Sequence, residues 1–313
     1  MSLTSELRSS DSTVSNFFSK HFPYTEDLVR ELNDDIETRQ IIIEPRVPIN
    51  DSGLIGTAFD YRARFYFTGY DTHKTLAFEG AKDFLHWGHE RALIYELFST
   101  FENDTWRIRP ENRRLTRAQE DQINTNCLIL AYFEQQFRTR WTPDYSGINK
   151  ATWLILVAGK NARSAESLKT IVRRSYSAHL IEMKMLSYQF FNDMRRSLKK
   201  PVVLNPIFDG SRDVGGADAD IIIGKALYEL KTSRPRRPFS RKLFWQLLGY
   251  TLLDYSDEYK INRIGCYFPR HGYHRVWRLS EIMYRLSRKR RSLNSWRSKF
   301  ARIHSIRSIW NRA

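Results

Sequence analysis

The sequence predicts an α/β fold in which helices flank a mixed central sheet, with a large helical insertion on the N-terminal side. Two patterns along the chain support this prediction. Apolar residues recur at helical spacing in segments such as 92–101 and 123–137. From Pro201 onward, short runs of β-branched and aromatic residues alternate with glycines, which is typical of strands joined by tight turns.

These patterns divide the chain into three predicted regions. Residues 1–200 form a mainly helical N-terminal region that includes the first helix of the functional core. Residues 201–280 form the core itself, and residues 281–313 form a basic C-terminal helix. Within the first region we expect residues 1–12 to be frayed and 171–191 to form one long helix. The apolar run 151–158 fits a buried strand or a helix equally well.

Two β-rich runs in the core are separated by only two residues. Ile221–Ile223 and Ala226–Leu230 flank Gly224 and Lys225, which is the spacing of a two-residue β-hairpin. An extended segment at 202–204 precedes this hairpin. The core is therefore predicted to be built around antiparallel strands.

Three further elements complete the predicted core. Ser240 is placed to cap a helix that runs to about Tyr255. Strands are expected at 261–268 and 274–279, on either side of a turn at 269–272. Strand and helix patterns therefore both occur, which excludes a pure helical bundle and a pure β-sandwich.

The chain is strongly basic. Its 51 Lys and Arg outnumber 35 Asp and Glu, which gives a net charge of +16 at pH 7. Such an excess attracts polyanions, of which nucleic acid is the most common in cells, and an anionic membrane surface is the rival partner. No apolar run approaches the roughly 20 residues of a membrane-spanning helix. We therefore expect DNA as the partner, with RNA left open, and no membrane.

The cysteine content excludes two classes of site. The chain has 2 cysteines, Cys127 and Cys266, which are too few for a zinc or iron–sulfur site and form no disulfide framework. The start of the sequence is polar and lacks the apolar segment of a signal peptide. We expect a soluble protein of a reducing compartment, the cytoplasm.

The predicted hairpin brings charged side chains onto one face of the sheet. In the register set by the two-residue turn, Asp220 lies opposite Glu229, and Asp218 lies opposite Lys231. Opposed carboxylates have Cβ atoms about 5 Å apart and repel each other by about 3 kcal/mol at an effective dielectric of about 20. A divalent cation such as Mg²⁺ or Mn²⁺ converts this repulsion into coordination. D-x-D and E-x-K fragments also occur on solvated strands that have no chemical role.

The stretch 215–232, GGADADIIIGKALYELKT, resembles motifs II and III of the PD-(D/E)xK nuclease superfamily. This resemblance implies a restriction-endonuclease-like fold. It also implies that Asp220 and Glu229 hold a metal ion, while Lys231 orients the attacking water or stabilises charge in the transition state. Two alanines, Ala217 and Ala219, stand before the aspartates where the superfamily has a proline.

Two further motifs are similar to the RecB-like branch of this superfamily. Gln246 and Tyr250 match its Q-x-x-x-Y motif on the following helix, and the resemblance implies that they position a nucleotide or the lysine. Gly56 to Asp60 is similar to its G-x-x-x-H motif, with Asp60 at the position of the histidine as a further candidate ligand. The chain lacks the four cysteines that bind an iron–sulfur cluster in many members.

The first metal ligand has two candidates. The hairpin register favours Asp220, because it lies opposite Glu229. The G-x-x-D spacing of the RecB-like branch, counted from Gly215, favours Asp218 instead. Both aspartates therefore stay in the predicted site.

A run of cations directly follows the E-x-K strand. It is placed to hold the phosphate backbone beside a metal site, and its members are Arg234, Arg236, Arg237, Arg241 and Lys242. The same charges would also suit an ordinary solvated surface.

Taken together, these features predict a Mg²⁺- or Mn²⁺-dependent deoxyribonuclease, a phosphodiesterase that hydrolyses DNA. The resemblance implies a role in repair, recombination or defence against foreign DNA. The alternative is a non-catalytic nucleic-acid-binding or scaffold protein that keeps the nuclease fold.

Overall fold

The computed structural model describes most of the chain, over residues 2–39, 41–67, 71–82, 88–107, 115–139, 162–194 and 200–310. Two compact units emerge from its internal contacts. The sheet unit combines Met1–Ile42 with Lys199–Ala313, and the helical unit is Ile43–Leu198. This division differs from the predicted regions, because apolar side chains of the first 42 residues share one core with the strands. The apolar run 151–158 lies outside the described residues.

Three helices begin the sheet unit: α1 (Leu3–Arg8), α2 (Thr13–His21) and α3 (Thr25–Glu37). The expectation that residues 1–12 are frayed is wrong. Ser2 caps α1 by accepting the N–H of Ser5 at 3.3 Å. Leu3 and Leu7, one turn apart, are buried in the core of the unit. Burial of this short apolar face therefore holds α1 in place.

Within the described part of the chain, the sheet has five strands, in the order β1-β2-β3-β4-β5. They are β1 (Val202–Leu204), β2 (Ile221–Ile223), β3 (Ala226–Leu230), β4 (Arg263–Phe268) and β5 (Tyr273–Arg278). Only β3 and β4 are parallel neighbours, and the other pairs are antiparallel. The sheet is mixed and open, so the predicted α/β class is confirmed.

The register of the β2–β3 hairpin is the predicted one. Ile223 pairs with Ala226, and Ile221 pairs with Tyr228. Gly224 in the turn has φ of 63°, a conformation that glycine adopts without a Cβ clash. The helix α10 (Arg241–Leu253) then makes the crossover to β4, and Ser240 caps it as predicted by accepting the N–H of Leu243 at 3.3 Å.

The basic C-terminal segment forms two helices instead of the single predicted one. They are α11 (Leu279–Ser287) and α12 (Leu293–Trp310). The break falls at Arg288, whose φ of 55° lies in the left-handed region and ends α11. Trp296 and Phe300 on α12 are fully buried in the core of the sheet unit.

A buried ion pair joins α12 to the end of α10. Arg297 donates to the Asp254 carboxylate at 3.1 Å and to the Thr251 carbonyl at 3.2 Å.

Replacing Arg297 by Met should lower the free energy of unfolding by about 3 kcal/mol or more, because Asp254 is left buried without its cation. Arg302→Met, which changes an exposed cation of the same helix, should have little effect in the same urea titration. Equal midpoints for the two variants would contradict this account.

The described residues of the helical unit form six α-helices, α4 to α9: Ser52–Phe67, Leu76–Ala81, Gly88–Arg107, Arg117–Thr139, Ala165–Ser175 and Ser177–Met194. The predicted long helix over 171–191 is therefore two helices that are interrupted at Tyr176. Among the helices that the structure describes, none is long and apolar enough to cross a bilayer.

Candidate functional site

The hairpin and α10 bring five of the predicted site residues into one network. Tyr228 pairs with Ile221, and continuation of that register puts Asp220 opposite Glu229. The Asp220 carboxylate accepts the backbone N–H of Leu230 at 2.6 Å. This hydrogen bond fixes the first aspartate against the end of β3.

Glu229 is the centre of the network, and only 2% of it is exposed. Its Oε1 accepts from Lys231 Nζ at 2.5 Å and from Gln246 Nε2 at 3.0 Å. Gln246 Nε2 also donates to the Tyr250 hydroxyl at 2.7 Å. Of the Q-x-x-x-Y pair on α10, Gln246 therefore contacts Oε1 of Glu229, and Tyr250 contacts Gln246.

The second oxygen of this carboxylate is different. Glu229 Oε2 is buried and has no hydrogen-bond partner among the described residues. Buried acceptors are nearly always satisfied in folded proteins, and an orphan carboxylate oxygen is costly. Such an oxygen is a suitable ligand for a hard cation, so the residues present fit Mg²⁺ or Mn²⁺.

The charges around Glu229 fix the protonation of its neighbours. Burial alone would lower the pKa of Lys231, but the charges of Glu229 and Asp220 and the hydrogen bond to Glu229 outweigh it and raise that pKa. Burial, followed by the charge of Glu229, raises the pKa of Tyr250. The same two causes raise the pKa of Cys266, which pairs with Glu229 in the sheet. Lys231 is therefore an ammonium ion, and the phenol and thiol are neutral.

The two candidate aspartates have different surroundings. Asp220 is half-buried beside Leu230, whereas Asp218 is exposed and forms an isolated bridge with Ile207. These positions favour Asp220 as the ligand that accompanies Glu229. The choice between them stays a prediction.

Asp60, the remaining predicted ligand, lies on α4 in the helical unit. Its carboxylate forms an ion pair with Arg64 one turn later on the same helix. This contact gives Asp60 a role in α4 itself. Its assignment as a further metal ligand stays a prediction.

Another group of metal-ligand type occurs in the helical unit and was not anticipated. Asp71, His73 and Glu102 have ligand atoms within 4.8 Å of one another, and no other such group of three occurs among the described residues. Asp71 accepts the N–H of His73 at 2.9 Å, and Glu102 accepts the N–H of Thr72 at 3.1 Å. These contacts cap a short 3₁₀ helix, Thr72–Lys74, so both carboxylates have a structural role. The D-x-H spacing is the signal that could have revealed the group.

The cations that follow β3 are not equally available. Arg237 pairs with Asp34 at 2.9 Å and with Glu37 at 2.5 Å, both on α3. Arg241 pairs with Glu26 of the same helix at 3.2 Å.

The other three predicted cations are placed differently. Arg234 is half-buried, whereas Arg236 and Lys242 are exposed. Within the described part of the chain, Arg236 and Lys242 have no acidic partner. They are therefore the cations best placed to meet a phosphate backbone.

Two buried residues from the β4–β5 turn support the segment that leaves β3. Arg270 donates from Nε to the Thr232 carbonyl at 2.9 Å, and His271 Nε2 lies 3.1 Å from the Pro235 carbonyl. These contacts hold the backbone on the C-terminal side of Lys231. No motif marked this pair, because its partners are backbone carbonyls distant in sequence.

Comparison with family models, curated proteins and solved structures finds no match to this chain.

Proposed function

We propose that this protein is a metal-dependent nuclease of the PD-(D/E)xK type, similar to the RecB-like branch, that hydrolyses phosphodiester bonds of DNA. The observation that carries the proposal is the buried Glu229 carboxylate, whose Oε2 lacks a partner among the described residues while Oε1 is held by Lys231. A restriction-endonuclease-like arrangement of the sheet is part of the same proposal.

Each residue of the network has a defined task in this proposal. Asp220 and Glu229 would hold Mg²⁺ or Mn²⁺, which supplies Lewis acidity and lowers the pKa of a bound water. Gln246 fixes the orientation of Glu229 through its hydrogen bond to Oε1, and Tyr250 supports Gln246. Lys231 carries the positive charge that stabilises the phosphoryl oxygens as they gain charge.

A cleavage assay tests the proposed function. Purified protein is incubated with linear duplex, circular duplex and single-stranded DNA, in Mg²⁺, Mn²⁺ or EDTA. We expect cleavage of at least one substrate with a metal and none with EDTA. DNA binding without cleavage under every metal condition would contradict the proposal and favour the non-catalytic alternative.

The exposed cations should determine the salt dependence of DNA binding. In EDTA, Arg236→Ala should make the slope of log K against log salt shallower by about 0.9 on duplex DNA, the contribution of one neutralised phosphate. Arg237→Ala serves as the matched variant and should change the slope less, because Arg237 already pairs with Asp34 and Glu37. Equal slopes for wild type and Arg236→Ala would remove Arg236 from the DNA contact.

A further inference from the structure

A cavity of about 280 Å³ adjoins the Glu229 network. Its walls come from α1, from the segment that follows β3 and from the first turn of α10. The polar residues that matter are Thr4, Arg8, Lys231, Ser233, Ser240 and Lys242. Three of these are cations and three carry hydroxyls, and no Asp or Glu is among the described residues that line the cavity. Such a lining suits an anion.

The cations of this cavity are available to a ligand. Arg8 and Lys242 are exposed, and neither has an acidic partner in the part of the chain that the structure describes. Lys231 contacts Glu229, but 41% of its side chain is still exposed. The start of α10 adds the partial positive charge of a helix N-terminus to these three cations.

Helix α1 is held firmly enough to form one wall. The Leu3 N–H donates to the Gly216 carbonyl at 2.8 Å. The Leu3 side chain lies against Gly249 of α10, where an added Cβ would be 2.9 Å from Leu3 Cδ2. Gly249 therefore permits the close approach that brings Arg8, in the last turn of α1, to the cavity.

We propose that this cavity binds a terminal phosphate of a nucleic-acid strand, an inference that rests on the proposed nuclease function. Its volume of about 280 Å³, slightly below the roughly 300–1,000 Å³ of small-molecule sites, leaves ample room for a phosphate group. Three cations match the charge of a phosphate monoester, which carries up to two negative charges, better than that of an internal diester. Lys231 and Gln246 line the cavity and also contact Glu229, so the bound end lies next to the proposed metal site.

The test measures binding without hydrolysis. Fluorescence anisotropy in EDTA compares three single-stranded oligonucleotides of one sequence, with a 5′-phosphate, a 3′-phosphate or hydroxyls at both ends. We expect one phosphorylated oligonucleotide to bind about tenfold more tightly than the hydroxyl form, the effect of one or two charge-assisted hydrogen bonds. The end that is preferred identifies which terminus the cavity holds.

Two variants assign the preference to the cavity. Arg8→Ala should remove most of the difference between the phosphorylated and hydroxyl oligonucleotides. Arg236 is an exposed cation that is not among the described residues that line the cavity. Arg236→Ala should therefore weaken the binding of all three oligonucleotides by the same factor and keep the preference for the phosphorylated one.

Two results would overturn the inference: equal affinities for all three oligonucleotides, or a preference that survives Arg8→Ala. Because no metal is present, this outcome is independent of catalysis. A phosphate preference carried by Arg8 in a protein that cleaves nothing would contradict the nuclease proposal alone. Cleavage without any end preference would contradict this inference alone.

Discussion

Glu229→Gln should lower DNA cleavage by about 10³-fold or more, the largest effect expected of any single change. The amide keeps the shape of the side chain but removes the charge that a divalent cation requires. Loss of a metal's transition-state stabilisation is worth several kcal/mol, and about 4 kcal/mol corresponds to 10³ in rate. Glu258→Gln, an exposed glutamate of the same unit, is the matched control and should retain activity.

Thermal stability separates a catalytic role of Glu229 from a structural one. In the metal-free protein, Glu229→Gln should change the Tm little, because the lost ion pair with Lys231 is offset by removal of a buried anionic oxygen that has no partner among the described residues. Added Mn²⁺ should raise the Tm of the wild type and leave that of the variant unchanged. A variant that loses stability in EDTA and retains activity in Mn²⁺ would identify Glu229 as structural.

Lys231→Met should lower kcat by about 10²-fold or more, in the range seen when one preorganised electrostatic group is removed. Methionine keeps much of the aliphatic stem and removes the ammonium. The affinity for DNA with hydroxyl ends, measured in EDTA, should change far less than kcat, because Lys231 then acts mainly in the transition state. Single-turnover cleavage and anisotropy titration measure the two quantities separately.

Lys225→Met provides the control for this change, because Lys225 is an exposed cation in the turn of the same hairpin. Its cleavage rate should stay close to that of the wild type. If Lys231→Met cleaves DNA as fast as Lys225→Met does, Lys231 has no part in the reaction. If both kcat and DNA affinity fall by the same factor, Lys231 contributes to binding and not to transition-state stabilisation.

The hairpin that carries the site could be predicted from the sequence because its determinants are local. A two-residue turn at Gly224 fixes the pairing, and a pairing register fixes which side chains share a face. Ser240 as the cap of α10 follows from equally local chemistry. These two features bring Asp220, Glu229 and Gln246 together, so most of the candidate site could be predicted from the sequence.

Features that depend on tertiary contacts could not be predicted. The six-residue helix α1 is too short to show a clear period, and its stability comes from burying Leu3 and Leu7 in a core formed by distant residues. Likewise, the pairing of Arg237 with Asp34 joins residues that are far apart in the sequence. Both features affect the proposals. Helix α1 lines the cavity that is proposed to bind a phosphate, and acidic residues of α3 pair with two cations of the basic segment.

The break at Arg288 shows another limit of periodicity. Apolar residues continue at helical spacing on both sides, at Leu286 and Leu293, so a single helix is the simplest prediction. The left-handed conformation of Arg288 redirects the chain between them. Such a conformation is uncommon for a residue other than glycine, and no sequence signal marks it.

Calorimetric titration with Mn²⁺ tests most directly the central claim that the hairpin carboxylates bind a metal ion. The wild type, Asp220→Asn and Asp218→Asn are compared at one pH and ionic strength. The account predicts that the wild type binds Mn²⁺. Asp220→Asn should weaken this binding by more than the roughly 10- to 100-fold typical of losing a group that only supports a ligand, whereas Asp218→Asn should retain most of it. A wild type that binds no Mn²⁺, or an affinity that survives the loss of Asp220, would contradict the account.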